Sequence, residues 1–448
     1  MKLYLYNSLS DTRELFVPIQ KRKASLYVCG PTVYNHAHIG NFRPIIVFSI
    51  LKQLLKYLGY KVTLVSNYTD IDDRIIQKAL KNSVDEMTVS NQYIKAYEQV
   101  LKGLNIKKPD IQPRVSAYIP QIIDYIKQII VNGSAYVVNG DVYFRVDACP
   151  NYGCLSNVRL DENEVGARIE ENVLKENPAD FAIWKRTDFG IRWSSPWSEG
   201  RPGWHTECSV MINSIFKATD GLIDIHGGGF DLKFPHHENE IAQSEAHNNH
   251  QLAHYWLHNG FVNVNGEKMS KSIGNVLLGK DAIKQFGGEI VKFTILSTHY
   301  RAPINLTDDT FTTAKNELTK LNSILAALSL RIQLMNGKRI MKKTAYLNDF
   351  FEAMCDDLNI SNALTAVYAL IKDANISLRK PDINLKVLEA YYSSLSVVFD
   401  VLGLKKKDRR LSEEDRLLCS QYFDAKARKD FEKSDFLRKV LIERDILL

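Results

Sequence analysis

The sequence predicts an α/β fold in which a parallel sheet carries helices on its faces, is split by an insertion, and gives way to an all-helical C-terminal region. Three observations predict it. A strand–helix–strand rhythm occupies residues 26–73, a second one begins at Leu222, and strand signals cease after Thr307.

In chain order, Leu26-Tyr27-Val28-Cys29 is a short apolar strand ending at Gly30-Pro31. From Pro44 to Leu58, Ile45, Val47, Phe48, Leu51, Leu54, Leu55 and Leu58 recur near the helical period. Val62–Val65 is a second strand, and Asp70-Ile71-Asp72-Asp73 opens a helix whose acidic first turn suits its positive end. Between Asn105 and Pro202 the pattern is irregular, with scattered Pro, Gly and Asn, as in an insertion between two halves of a nucleotide fold. The sheet resumes at Leu222–His226 before Gly227-Gly228-Gly229, a helix runs from about Pro235 to His247, and Phe261–Val264 is the last strand. Amphipathic stretches then continue to about Leu402, as in a helical bundle. Lys405–Arg410 is a basic linker, and a charge-dense helical tail starts at Ser412. The expected divisions are 1–104, 105–202, 203–306, 307–404 and 405–448.

A composition of 45% hydrophobic and 25% charged residues argues for a globular chain rather than a disordered one. The net charge of +6 permits a nucleic-acid partner without requiring one. No apolar run is long enough to span a membrane, no signal-peptide core is present, and Asp11 and Glu14 run against a transit peptide. A cytoplasmic location with no membrane partner is therefore expected. Six cysteines in 448 residues do not suggest a disulfide framework. Cys149 and Cys154 flank a Pro-Asn-Tyr-Gly turn without two further ligands nearby, so free thiols are expected there.

Two segments carry most of the chemistry. In His36-Ala37-His38-Ile39-Gly40-Asn41, Gly40 lets backbone approach a ligand, and the following helix offers free N–H groups to phosphate. Imidazole and amide groups there can donate to phosphate oxygens as charge builds. In Lys268-Met269-Ser270-Lys271-Ser272, two ammonium groups on one loop can neutralise a departing pyrophosphate.

These segments resemble the HIGH and KMSKS signatures of class I aminoacyl-tRNA synthetases, with Asn41 in place of the final histidine. Tyr27–Tyr34, Asn67–Asp73, Gly200–Ser209 and His226–Glu240 narrow the resemblance to the cysteinyl-tRNA synthetases, and it extends from about residue 2 into the tail. It implies a split Rossmann-type catalytic domain followed by an all-α anticodon-binding region. It also implies ATP-dependent activation of L-cysteine and transfer to tRNA(Cys), with Mg²⁺ accompanying ATP. A monomer is expected. The region after Thr307 favours tRNA over an amino sugar as acceptor, and the intact lysines and glycines favour an enzyme over a non-catalytic binding protein.

The resemblance assigns His38, Asn41, Lys268 and Lys271 to catalysis, and His36, Gly40, Gly228, Asp231 and Lys271 to ATP. Gly30, Thr69, Trp204 and His205 match positions around the substrate cysteine. Cys29, Cys208, His236 and Glu240 match the ligands of one Zn²⁺ per chain. The chemistry agrees, because two thiolates, an imidazole and a carboxylate suit tetrahedral zinc. His236 and Glu240, four apart, share a helix face; His237 and Glu240, three apart, are a competing pair. Zinc would distinguish thiol from hydroxyl, a contrast that size handles poorly. The insertion is also shorter than the editing domain of some relatives.

Overall fold

The computed structural model describes residues 1–158, 175–269, 274–337, 345–380, 382–408, 410–444 and 446, with Lys268 described in its backbone only. Two compact units result: Tyr4–Gln285 with Tyr300–Ile304, and Met1–Leu3 with Phe286–His299 and Asn305–Leu448.

The first unit opens on an antiparallel hairpin, β1 (Tyr4–Asn7) and β2 (Thr12–Leu15). Next come β3 (Lys23–Val28), α1 (Arg43–Tyr57) and β4 (Lys61–Val65), the strand–helix–strand unit legible in the sequence. Pro44 sits in the first turn of α1, where its missing N–H costs nothing. Ile46, Phe48, Leu51, Leu54 and Leu55 are fully buried. Arg43 is buried too, and its Nη1 donates to the Gly260 carbonyl at 2.7 Å. Burial pulls its guanidinium down to about 10. α2 (Asp73–Asn82) starts at the predicted acidic cluster, with the Asp72 carboxylate accepting from the Arg74 N–H at 2.8 Å. α3 (Glu86–Gly103) follows.

The irregular stretch holds more order than its sequence suggests. It contains α4 (Ile119–Val131) and strands β5 (Ala135–Val138), β6 (Asp141–Phe144), β7 (Phe181–Arg186), β8 (Trp193–Ser194) and β9 (Glu199–Pro202). The strands form an antiparallel sheet in the order β5-β6-β7-β9-β8. Most are four residues or fewer, too short for alternation to show.

α5 (Trp204–Ile215) leads into β10 (Ile223–Gly229), a turn with a cis Phe234–Pro235 bond, α6 (Glu238–Asn248) and β11 (Ala253–Asn259). β3, β4, β10 and β11 make one parallel sheet in the order β11-β10-β3-β4. The crossovers from β3 and β10 leave in opposite directions. Their carboxyl ends therefore part at a topological switch point, where open α/β sheets bind ligands. Gly227 keeps β10 close to its neighbours, since a Cβ there would lie 2.7 Å from Phe48 Cζ of α1. The N-terminal hairpin leans on β11: Ser8 donates to the Trp256 carbonyl, and the Asn7 amide bonds the backbone of His254 and Trp256. β12 (Val262–Val264) and β13 (Glu267–Lys268) pair as a hairpin, and α7 (Gly279–Phe286) follows the lysine loop.

The second unit holds α8 (Gly288–Leu296). The short β14 (Ile304–Leu306) precedes a run of helices: α9 (Asp308–Leu334), α10 (Asn348–Met354), α11 (Ile360–Arg379), α12 (Leu385–Val401), α13 (Glu413–Ala427) and α14 (Phe431–Glu443). Thr307 caps α9, its Oγ1 accepting from the Thr310 N–H, and Ser412 and Asp415 form a reciprocal capping box on α13. Leu330, Leu411, Cys419, Leu441 and Ile446 form one apolar cluster of this unit. Among the described residues, no helix is long and apolar enough to cross a membrane.

Candidate functional site

Cys29 follows the last residue of β3 at the switch point, where its N–H donates to the Gly227 carbonyl of β10 at 3.1 Å. Cys208 lies in the middle of α5, His236 in the turn before α6, and Glu240 in the first turn of α6. One donor atom from each of the four lies within 4.8 Å of the others. Two sulfurs bound to one tetrahedral zinc stand about 3.8 Å apart, given bonds of about 2.3 Å. The Cys29 and Cys208 sulfurs are 3.9 Å apart. A second quartet, Cys29, His226, His237 and Glu240, meets the same distance limit but offers a single sulfur.

The electrostatics of the first quartet suit a cation. The apolar surroundings of Cys29 raise its thiol. Cys208 is raised chiefly by its hydrogen bond with Cys29, and then by burial. A divalent ion would reverse both effects. Glu240 Oε1 lies 2.8 Å from His236 Nε2, and its Oε2 lies 2.6 Å from His226 Nε2. Burial pushes the Glu240 carboxyl up, but His226 and His236 outweigh it and hold it well below the usual carboxylate range. Burial likewise pulls His236 down, and Glu240 and Cys208 outweigh it to hold the imidazole at about 10. The donor set and its field thus fit zinc.

The four residues matched to the substrate border this group. A Cβ on Gly30 would lie 1.6 Å from the Asn67 carbonyl oxygen, so only glycine fits. Gly30 N–H donates to Asn67 Oδ1 at 2.9 Å, and Thr69 Oγ1 donates to Glu207 Oε2 at 3.0 Å. Burial raises the Glu207 carboxyl well above its usual range. The Trp204 ring centre is 4.4 Å from that of His236, and His205 Nδ1 is 3.0 Å from His236 Nδ1. Burial, then His236, hold His205 well below its usual range.

Of the residues matched to phosphate, those of the first motif meet the segment that follows the lysine loop. Ile39 N–H donates to the Leu277 carbonyl, and Gly279 N–H to the Ala37 carbonyl. The segment after the lysine loop is thus stitched to the first motif. A Cβ on Gly40 would touch both His38 and Met269 at 3.0 Å. His36 lies edge-on to Tyr93, its imidazole lowered by burial and then by Lys280. Asn41 Oδ1 accepts from the His38 N–H at 3.0 Å, so its oxygen is engaged in shaping the loop. Gly228 of β10 is buried beside His237, and Asp231, in the turn after β10, is exposed with its carboxylate folded toward Gly229. Lys268 is paired through β13 with Asn263 of β12. Its side chain, and all of Lys271, lie outside the described residues.

Sequence reasoning missed His226, Glu207 and Asn67. His226 bonds Tyr27 O through Nδ1 and Glu240 through Nε2, and orients that carboxylate. Its trace in sequence is a histidine at the end of an apolar strand, before three glycines, at the head of the segment His226–Glu240. Cys149 and Cys154 are free and donate to Glu245 and Glu238. Burial pushes both thiols up to about 12.

A parallel sheet with a switch-point site and an appended helical unit is compatible with the class I tRNA synthetase type. Residues 15–316 match the family model for the class I (C) catalytic domain of tRNA synthetases, and residues 349–406 match the DALR domain. Across its whole length the chain is 43% identical to a cysteine–tRNA ligase of Anoxybacillus flavithermus, covering 97% of that protein. It is 44% identical to the one of Shouchella clausii, over 99% of this chain and 97% of that one. The chain belongs to the cysteine–tRNA ligases, a family of class I aminoacyl-tRNA synthetases. The expected Rossmann-type fold is also that of a Mycobacterium tuberculosis methionyl-tRNA synthetase in complex with methionyl-adenylate. The TM-score is 0.62 at 16% identity, over 85% of this chain and 89% of that one.

Proposed function

We propose that the protein activates L-cysteine with ATP and transfers it to tRNA(Cys), selecting the substrate thiol with one Zn²⁺ held by Cys29, Cys208, His236 and Glu240. The observation that carries this reading is the convergence of two thiols, an imidazole and a carboxylate at the sheet's switch point. Bound zinc supplies a soft Lewis acid that bonds a thiolate far better than a hydroxyl.

The chain's own residues do the rest. Gly30, Thr69, Trp204 and His205 position the amino acid so that its carboxylate attacks the ATP α-phosphorus. That attack forms the acyl–phosphate bond and releases pyrophosphate. His36, Gly40, Gly228 and Asp231 hold the nucleotide, with Mg²⁺ on its phosphates. His38 and Asn41 donate to the reacting phosphate, and Lys268 and Lys271 neutralise the departing pyrophosphate. A ribose hydroxyl of the tRNA terminal adenosine then takes the aminoacyl group and AMP leaves. In the monomer we expect, residues 1–104 and 203–306 carry the reaction, 105–202 form the insertion, and 307–404 with 405–448 read the tRNA.

The test is pyrophosphate exchange with cysteine and with serine, with and without a zinc chelator. Exchange is expected with cysteine only and is lost on chelation. Equal exchange with serine would sink the zinc-selection reading.

A further inference from the structure

We propose that Glu238 is a positioning residue through which the insertion holds the metal-binding turn of α6. The inference rests on the reading that Cys29, Cys208, His236 and Glu240 bind zinc.

Glu238 lies two residues from His236 and two from Glu240, and is 1% exposed. Its carboxylate meets a run of backbone donors from residues 153–156. Oε2 accepts from the Ser156 N–H at 2.7 Å, and Oε1 from Gly153 at 3.0 Å and Leu155 at 3.3 Å. Such converging N–H groups make an anion-binding concavity, and a buried carboxylate needs them. The neighbouring Asn239 is fixed to the same loop, its Oδ1 accepting from the Tyr152 hydroxyl at 2.5 Å.

The loop is itself held in shape. Leu155 is fully buried, and Gly153 has φ +95°, with no room for a Cβ, which would lie 2.4 Å from the Val158 carbonyl oxygen. Two successive residues of the ligand-bearing turn are therefore clamped by a segment of the insertion. A metal site needs its ligands within about 0.5 Å of the productive geometry, and a turn between two ligands sets both. Losing an outer partner of this kind typically costs about 10–100-fold in metal affinity.

Two full-length variants cut the clamp from opposite sides. Glu238→Gln keeps the shape but turns an amide N–H₂ toward N–H donors. Gly153→Ala disturbs the loop that supplies them. Zinc affinity is read by competition with a chromophoric chelator, alongside KM for cysteine and for ATP in the exchange reaction and the melting temperature of metal-free protein. We expect zinc affinity to fall about 10–100-fold in both variants, KM for cysteine to rise and KM for ATP to stay put, with some loss of metal-free melting temperature from the strained loop. Zinc affinity within twofold of wild type would overturn the proposal. So would a parallel rise in both KM values, which marks general support only. A wild-type protein that binds no zinc would overturn the underlying metal reading as well, and is recognisable before any variant is made.

Discussion

His226, Glu240, His237 and His258 are buried in the first unit and bond across elements: β10 to α6, and the turn before α6 to β11. Some buried polar groups of the second unit bond closer to home, while others, such as Gln333 with the Leu411 N–H, also reach across it. Ser394 Oγ donates to the Ala390 carbonyl, and Asn322 Nδ2 to the Leu318 carbonyl, each one turn back on its own helix. The difference is one of cost. A hydroxyl returned to its own helix needs nothing from its surroundings, whereas a carboxylate between two imidazoles survives burial only while all three stay in register. The first unit thus keeps its chemistry inside.

The hardest way to break this contrast is Glu240→Ala, which strips a carboxylate from both His226 and His236. A loss of about 3–5 kcal/mol is expected in urea unfolding, together with loss of bound zinc. A neutral result would show that the buried network is not a unit. Next is Leu325→Ala in the fully buried core of α9. About 2–5 kcal/mol should be lost, in the calorimetric transition of the helical unit, with cysteine-dependent exchange at 25 °C unchanged. A fall in exchange would blur the two regions. Thr69→Val removes the donor to buried Glu207 and should cost about 1–3 kcal/mol, with a higher KM for cysteine. The mildest test pairs two helix-start residues, Asn41→Ala and Ser412→Ala. Each should cost about 1 kcal/mol in thermal melts. Only the first should also raise KM for ATP, and equal kinetics for both would remove Asn41 from the phosphate group.

How much of this was legible depends on range along the chain. β3, α1 and β4 were readable because each carries its own period, and the change after Thr307 is marked by a threonine that caps α9. β11 was not. In Ala-His-Tyr-Trp-Leu-His-Asn the polar residues do not alternate cleanly, because most of both faces is buried. The insertion's strands were too short to show a pattern. In the site, Cys29, Cys208, His236 and Glu240 could be named from the resemblance. His226 could not, because its partner Glu240 is 14 residues away and meets it only once α6 crosses back over the sheet.

The hairpin that leans on β11 has a further consequence. A row of unpaired backbone groups on an outer strand is a template on which another chain can grow. Asn7, bonding His254 O and Trp256 N with one amide, occupies that template where a full strand would otherwise be needed. An Asn7→Ala chain, with that edge of β11 uncovered, should therefore show concentration-dependent sedimentation before any change in turnover.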